Sequence, residues 1–133
     1  MRYKFRAWDH EIGEFVYSDK TYDEAWFEFK GGILKAYALH GMTSGSIHEP
    51  PQPNCVELEP PEMFTGLTDR NSKEIWESDL LQSSDGSCKY KVIFDEGAFW
   101  AENIAYEWYR EADRLKYDEV IGNIYEHSHL LEK

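Results

Sequence analysis

A mainly β fold, α+β at most, with one amphipathic helix is what this sequence predicts, and three observations predict it. Five Trp, nine Tyr and seven Phe are spread over 133 residues, and large rings favour pleated, half-buried strands. Short apolar runs alternate with period two and are punctuated by Gly, Pro, Asn and Asp. Only one stretch, near 104–115, carries a helical repeat.

At the start of the chain, Tyr3-Lys4-Phe5-Arg6-Ala7-Trp8 alternates rings or small residues with basic ones. It reads as a strand with Tyr3, Phe5 and Ala7 on one face. A turn over Asp9–Glu14, with Gly13, leads to a second strand at Phe15-Val16-Tyr17, making 3–17 a hairpin. Residues 21–30 carry two signals. Thr21-Tyr22-Asp23-Glu24 resembles a capping box, and Gly31 a helix C-cap. Against them, Trp26-Phe27-Glu28-Phe29 is ring-rich, and Gly31-Gly32 marks a hairpin turn before Ile33–Leu39. The hairpin is the preferred reading. Residues 40–54 hold Gly, Pro, Ser and Asn and read as a loop, followed by a strand at Val56–Glu59 that Pro60-Pro61 ends. Asp69–Ser72 has turn chemistry, since Asp and Asn bond the backbone locally. Asp85-Gly86 is a hairpin turn, Lys89–Phe94 a strand, Asp95-Glu96-Gly97 a turn and Ala98–Glu102 a strand. Ile104, Ala105, Trp108, Tyr109, Ala112 and Leu115 share one helical face that Asn103 caps. A last strand spans Val120–Tyr125, and His127–Glu132 is a short tail.

A chain of this length buries about two thirds of its surface on folding, enough for a core without staples. The hydrophobic fraction of 41% and charged fraction of 30% are those of a globular chain. No apolar run approaches the roughly 20 residues that span a bilayer. No apolar stretch follows the basic residues at the start, which argues against a signal peptide and for a cytoplasmic location. Cys55 and Cys88 are then reduced thiols, read as small buried groups.

The net charge is −12. Residues 1–60 hold 6 basic and 10 acidic groups, and residues 61–133 hold 8 and 16. Phosphate backbones and anionic membranes repel such a chain, so direct nucleic-acid binding and membrane binding are both disfavoured. Solubility explains much of the excess; attraction to a basic partner is the sharper reading.

No pattern of established chemistry is visible. The dinucleotide, Walker and nucleophile-elbow signatures are missing. Asp69-x-Asn71 starts like a calcium loop, but Glu74 stands where the turn Gly belongs and Leu80 where the bidentate Glu belongs. His127-x-His129 has no third ligand nearby. With 26 acids, carboxylate pairs are expected by chance and assign no acid or base. The expectation is no enzyme activity, no metal and no cofactor.

Three segments resemble the YopX-like family of small phage and prophage proteins. They are Lys4-Phe5-Arg6-Ala7-Trp8-Asp9, the long run Phe64–Asp79, and Glu119–Glu126 with Leu130-Leu131 closing. The shared residues are Phe64, Thr65, Gly66, Leu67, Asp69, Asn71, Ile75, Trp76, Glu77 and Asp79, then Val120, Ile121, Gly122, Asn123, Ile124 and Tyr125. The family usually carries Asn-Gly where Asn71-Ser72 stand, Glu-Gly-Asp where Glu77-Ser78-Asp79 stand, and Tyr where Trp76 stands. Without those glycines either a positive-φ turn is lost or Asn71 carries it. The resemblance implies a β-rich fold containing a small SH3-like barrel and a phage or prophage source. It brings no catalytic residue. On this basis residues 1–62 are expected to form N-terminal hairpins and a loop packed on the barrel. Residues 63–133 would hold the barrel, formed by roughly 63–126, with the helix near 104–115. Within it Ile75 and Ile121 are expected to be buried.

The functional expectation is a non-catalytic protein-interaction module of phage biology in the bacterial cytoplasm, binding a basic host or phage protein. Its candidate interface is Trp108, Tyr109, Asp95, Glu96, Glu107 and Glu111. The ring pair Trp108-Tyr109 on the helix further suggests a homo-oligomer. A nucleic-acid-associated small barrel is the alternative, and an enzyme ranks third.

Overall fold

The computed structural model describes residues 3–106 and 108–131. The chain divides into two compact units, one of Lys4–Pro61 and one that takes in Glu62–Lys133 together with Met1–Tyr3.

The Lys4–Pro61 unit is built from hairpins. Strands β1 (Phe5–Asp9) and β2 (Glu14–Tyr17) pair antiparallel, with Ala7 opposite Val16 and Trp8 opposite Phe15. Strands β3 (Ala25–Lys30), β4 (Ile33–Met42) and β5 (Pro53–Glu57) make a three-stranded sheet in that order. The two-residue Gly31-Gly32 loop has φ of +60° and +82°. Positive φ at both central residues is the loop geometry that matches strand twist, and glycine adopts it at no steric cost. Segment 21–30 therefore has no helix. Ala7, Val16, Ala36, Ala38 and Leu58 form the core, with Tyr22, Ala25 and Phe27 packed against them. Tyr3 is not part of this buried face; it is 76% exposed. Cys55 is also exposed, while Cys88 is half-buried, and both are free thiols.

In the second unit β6 (Glu62–Thr68) pairs antiparallel with β7 (Glu74–Trp76). Strands β8 (Asp79–Gln82), β9 (Lys89–Asp95), β10 (Ala98–Asn103), β11 (Tyr109–Glu111) and β12 (Glu119–Asn123) form one antiparallel sheet, ordered β11-β10-β9-β8-β12. The sheet curls into a half-barrel. One source of the curl is a register break between Val120 and Gly122 on β12. Ile75, Leu81, Tyr90, Val92, Ala101, Ala112 and Leu115 fill its interior. A Cβ at Gly122 would lie 2.5 Å from the His127 ring, so this close approach requires glycine.

The amphipathic helix near 104–115 does not form. Asn103 Oδ1 accepts the amides of Ala105 and Tyr106, and Asn103 N–H donates to the Trp108 carbonyl. These bonds close a tight turn and return the chain alongside β10 as strand β11. The Asn that reads as a helix cap is thus a turn residue, and Tyr109 of the ring pair after it takes strand geometry. Beyond β11 the chain makes a 3-10 turn over Ala112–Tyr117. Ala112 and Leu115 lie three apart and both face inward, as three residues per turn requires. A second 3-10 turn covers Ser128–Leu131.

Ile75 is fully buried, whereas Ile121 is half-buried. Ile75→Ala is expected to cost about 3 kcal/mol and Ile121→Ala about 1 kcal/mol. Urea unfolding followed by tryptophan fluorescence reads both, and equal losses would contradict the burial difference.

Asn71 does not carry the positive-φ turn. Ser72 and Ser78 themselves adopt φ of +65° and +68°. A side chain in this region costs roughly 1–2 kcal/mol, partly offset by the entropy that glycine loses on folding. Ser72→Gly and Ser78→Gly are each expected to stabilise the chain by about 0.5 kcal/mol. A loss of stability in both variants would show that the serines are not strained.

Candidate interaction surface

Cross-strand register sorts the candidate residues. On β10, Val92↔Ala101 faces the core, so the alternate pairs face outward. These are Asp95↔Ala98, Ile93↔Trp100 and Lys91↔Glu102. On the other side, β11 sets Glu111 opposite Trp100 and Tyr109 opposite Glu102. Tyr109, Trp100, Glu111, Glu102 and Asp95 therefore share one outer sheet face. Tyr109 is 56% exposed. Glu96 sits at the tip of the β9–β10 turn with φ +49°. Among the described residues no ion pair engages Asp95, Glu96 or Glu111, and Lys91 is the cation that the register places on this face.

Trp108 points elsewhere. Its ring meets Tyr90 edge-on at 5.7 Å, on the core side of the sheet. Arg110 lies beside it, 4.1 Å over the Tyr90 ring, and pairs with the buried carboxylate of Asp118. Burial raises the Tyr90 phenol above its ordinary value, with the Cys88 hydrogen bond adding to that and Arg110 opposing it. So Trp108, 43% exposed, lies on the other side of the sheet from Tyr109, and no helix displays it. Glu107 lies outside the described residues.

The shared run 64–79 and the strand after 119 are tied by side chains bonded to backbone. Asp69 is the centre. Its Oδ1 accepts the amides of Asn71 at 2.8 Å and Lys73 at 2.9 Å, and its Oδ2 that of Val120 at 2.9 Å. Burial works to raise this carboxyl, but the Val120, Lys73 and Asn71 amides and the Lys73 charge outweigh it, and the net shift is downward. Thr65 Oγ1 donates to the Ile75 carbonyl at 2.6 Å. Asp79 Oδ2 accepts from Trp76 N–H, and Asn123 Oδ1 from the amides of Tyr125 and Glu126. Among the described residues, no group of three or more His, Cys, Asp or Glu is placed to hold a metal ion.

Besides Arg110–Asp118, sequence reading missed a second ionisable pair. In the Lys4–Pro61 unit, His40 Nε2 lies 2.7 Å from Asp9 Oδ2, and Asp9 Oδ1 accepts the Glu11 amide at 3.0 Å. The carboxylate is 2% exposed and the imidazole 12%. Asp9 reads locally as a turn residue and His40 as the start of a loop. Their pairing across 31 positions has no local signal.

A family model for the YopX protein matches residues 4–132. The chain belongs to the YopX protein family. The YopX match spans the Asp9–His40 pair, the Asp69 centre and the outer face of β9–β11 alike. No curated protein matches the chain. Among solved structures it is similar to protein EF1440 from Enterococcus faecalis, at TM-score 0.60 and 22% identity over 99% of both chains. At that identity the likeness shows the fold alone and assigns no activity. Among the described residues no helix is long and apolar enough to cross a membrane.

Proposed function

We propose that this YopX-family chain is a phage- or prophage-encoded accessory protein of the bacterial cytoplasm, without catalysis of its own, that binds a basic host or phage protein. The observation that supports this is the outer face of β9–β11, where Tyr109 and Trp100 lie among Glu111, Glu102 and Asp95. Rings supply contact area at low entropic cost, and the carboxylates of Asp95 and Glu111, in no ion pair among the described residues, are available to cations on the other surface.

Affinity capture from host lysate at low and high salt tests the reading. The expected partner is basic, and its binding weakens as the Debye length falls from about 10 Å at 0.1 M salt to about 3 Å at 1 M. DNA competes with this chain for a partner whose basic surface ordinarily holds DNA. Asp95→Asn, Glu96→Gln and Glu111→Gln together lower the association rate before they change the dissociation rate. A captured partner that binds equally well at both salt concentrations would overturn the proposal.

A further inference from the structure

Strand β3 lies at the edge of its three-stranded sheet, with β4 its one neighbour there. The Leu39 amide donates to the Glu24 carbonyl, and Ala25 stands opposite Ala38. Hydrogen-bonded pairs alternate along an antiparallel ladder. The pairs Trp26↔Tyr37, Glu28↔Lys35 and Lys30↔Ile33 are therefore bonded to β4. The backbone groups of Ala25, Phe27 and Phe29 point outward from the sheet. This edge lacks the usual protection of proline, a bulge or a short length. It displays Phe29 at 72% exposure and Trp26 at 37%.

We infer that β3 is a self-complementary docking edge, and that its occupant is β3 of a second copy of this chain, paired antiparallel about Phe27. Three features select that partner and that register. In a two-fold pairing centred on Phe27, Glu24 stands opposite Lys30 of the partner subunit at both ends. Like charges would oppose each other if the centre moved one residue to Glu28, which then faces its own copy. A centre at Phe29 would need Gly31 as a strand residue, and its φ of +60° ends the strand there. In the Phe27 register the outward amides of Ala25, Phe27 and Phe29 all find carbonyls, and Phe29 covers the small side chain of Ala25 on the other copy. The pairing joins two three-stranded sheets into one of six strands. The net charge of −12 opposes self-association, so the two Glu24–Lys30 pairs fix the register as well as adding contact.

The test is sedimentation equilibrium of the full chain with Glu24→Lys, Lys30→Glu and the double variant. Thermal unfolding of each variant confirms that it folds. The parent chain is expected to dimerise, each single variant to dimerise roughly tenfold or more weakly, and the double variant to recover within about threefold. Amide exchange supplies the second reading. The amides of Ala25, Phe27 and Phe29 gain protection as concentration rises through the dimer range. Those of Trp26, Glu28 and Lys30, bonded to β4, stay protected throughout. A chain that stays monomeric at millimolar concentration overturns the inference. So does a dimer in which the double charge swap fails to recover, or in which the outward β3 amides exchange at the same rate at every concentration.

Discussion

Asp69→Ala is expected to remove about 4 kcal/mol of folding stability, read as a fall in the urea midpoint at unchanged slope. The residue is 5% exposed, and its two oxygens accept three backbone amides from two separate stretches of chain, at 2.8, 2.9 and 2.9 Å. Hydrogen bonds to a charged acceptor contribute about 1.5–3 kcal/mol each. Asn71 and Lys73 lie at the surface, so water replaces part of what their amides lose. Val120 is half-buried, so its amide is expected to bear most of the cost. Asp69→Asn keeps the shape but presents an N–H to one of the three donors, and about 2 kcal/mol is the expected loss. The downward shift of this carboxyl gives the experiment a pH axis. Its contribution is full above the ordinary value of 3.8 and is lost as pH falls through the lower folded value. The Asn variant lacks that part of the acid sensitivity. An Asp69→Ala chain within about 1 kcal/mol of the parent would show that the three amides are satisfied without it.

Much of the fold was legible because its signals are local. Gly31-Gly32 between ring-rich runs dictates a two-residue loop whatever surrounds it, and Asp95-Glu96-Gly97 between apolar runs does the same. The stretch 104–115 shows where local signals mislead. Apolar residues three and four apart fit an α-helix, but Ala112 and Leu115 fit a 3-10 turn equally well. The choice falls to Asn103, whose side chain closes a turn, and to β10, which offers Tyr109–Glu111 a strand partner. Neither is visible until β10 is in place. Tyr3 and Ile121 fail for a related reason. Alternation says which side a residue faces, and burial depends on what covers that side.

The candidate surface was legible in part. Its acids and rings were visible, but which of them share a face is a matter of cross-strand register. Register joins Tyr109 and Glu111 with Asp95 and sends Trp108 to Tyr90. The departures at Ser72 and Ser78 are informative in the opposite way. The backbone keeps positive φ where the family usually has glycine. The turn is therefore held by its surroundings, with the Ser72 amide bonded to the Asp69 carbonyl and that of Ser78 to the Val92 carbonyl.

Arg110 carries the second large expected effect. Its guanidinium pairs with Asp118, whose side chain is 3% exposed, while its own is 23% exposed. Arg110→Met leaves that carboxylate buried with no cation, and the expected cost is about 3–4 kcal/mol. The opposite truncation is milder. In Asp118→Asn the guanidinium keeps its place over Tyr90 and still reaches water, so about 1–2 kcal/mol is expected. The pair is not an ideal one. Arg110 Nε is buried without a hydrogen-bond acceptor among the described residues, so the arginine already bears part of its desolvation uncompensated. Replacing both partners, Arg110→Met with Asp118→Leu, removes the buried carboxylate, its half-buried partner charge and one unsatisfied donor together. The double variant is expected to lie within about 1 kcal/mol of the parent, a coupling that a double-mutant cycle in urea measures directly. Additive losses in that cycle would mean that Arg110 stabilises the unit through its packing on Tyr90, independent of Asp118.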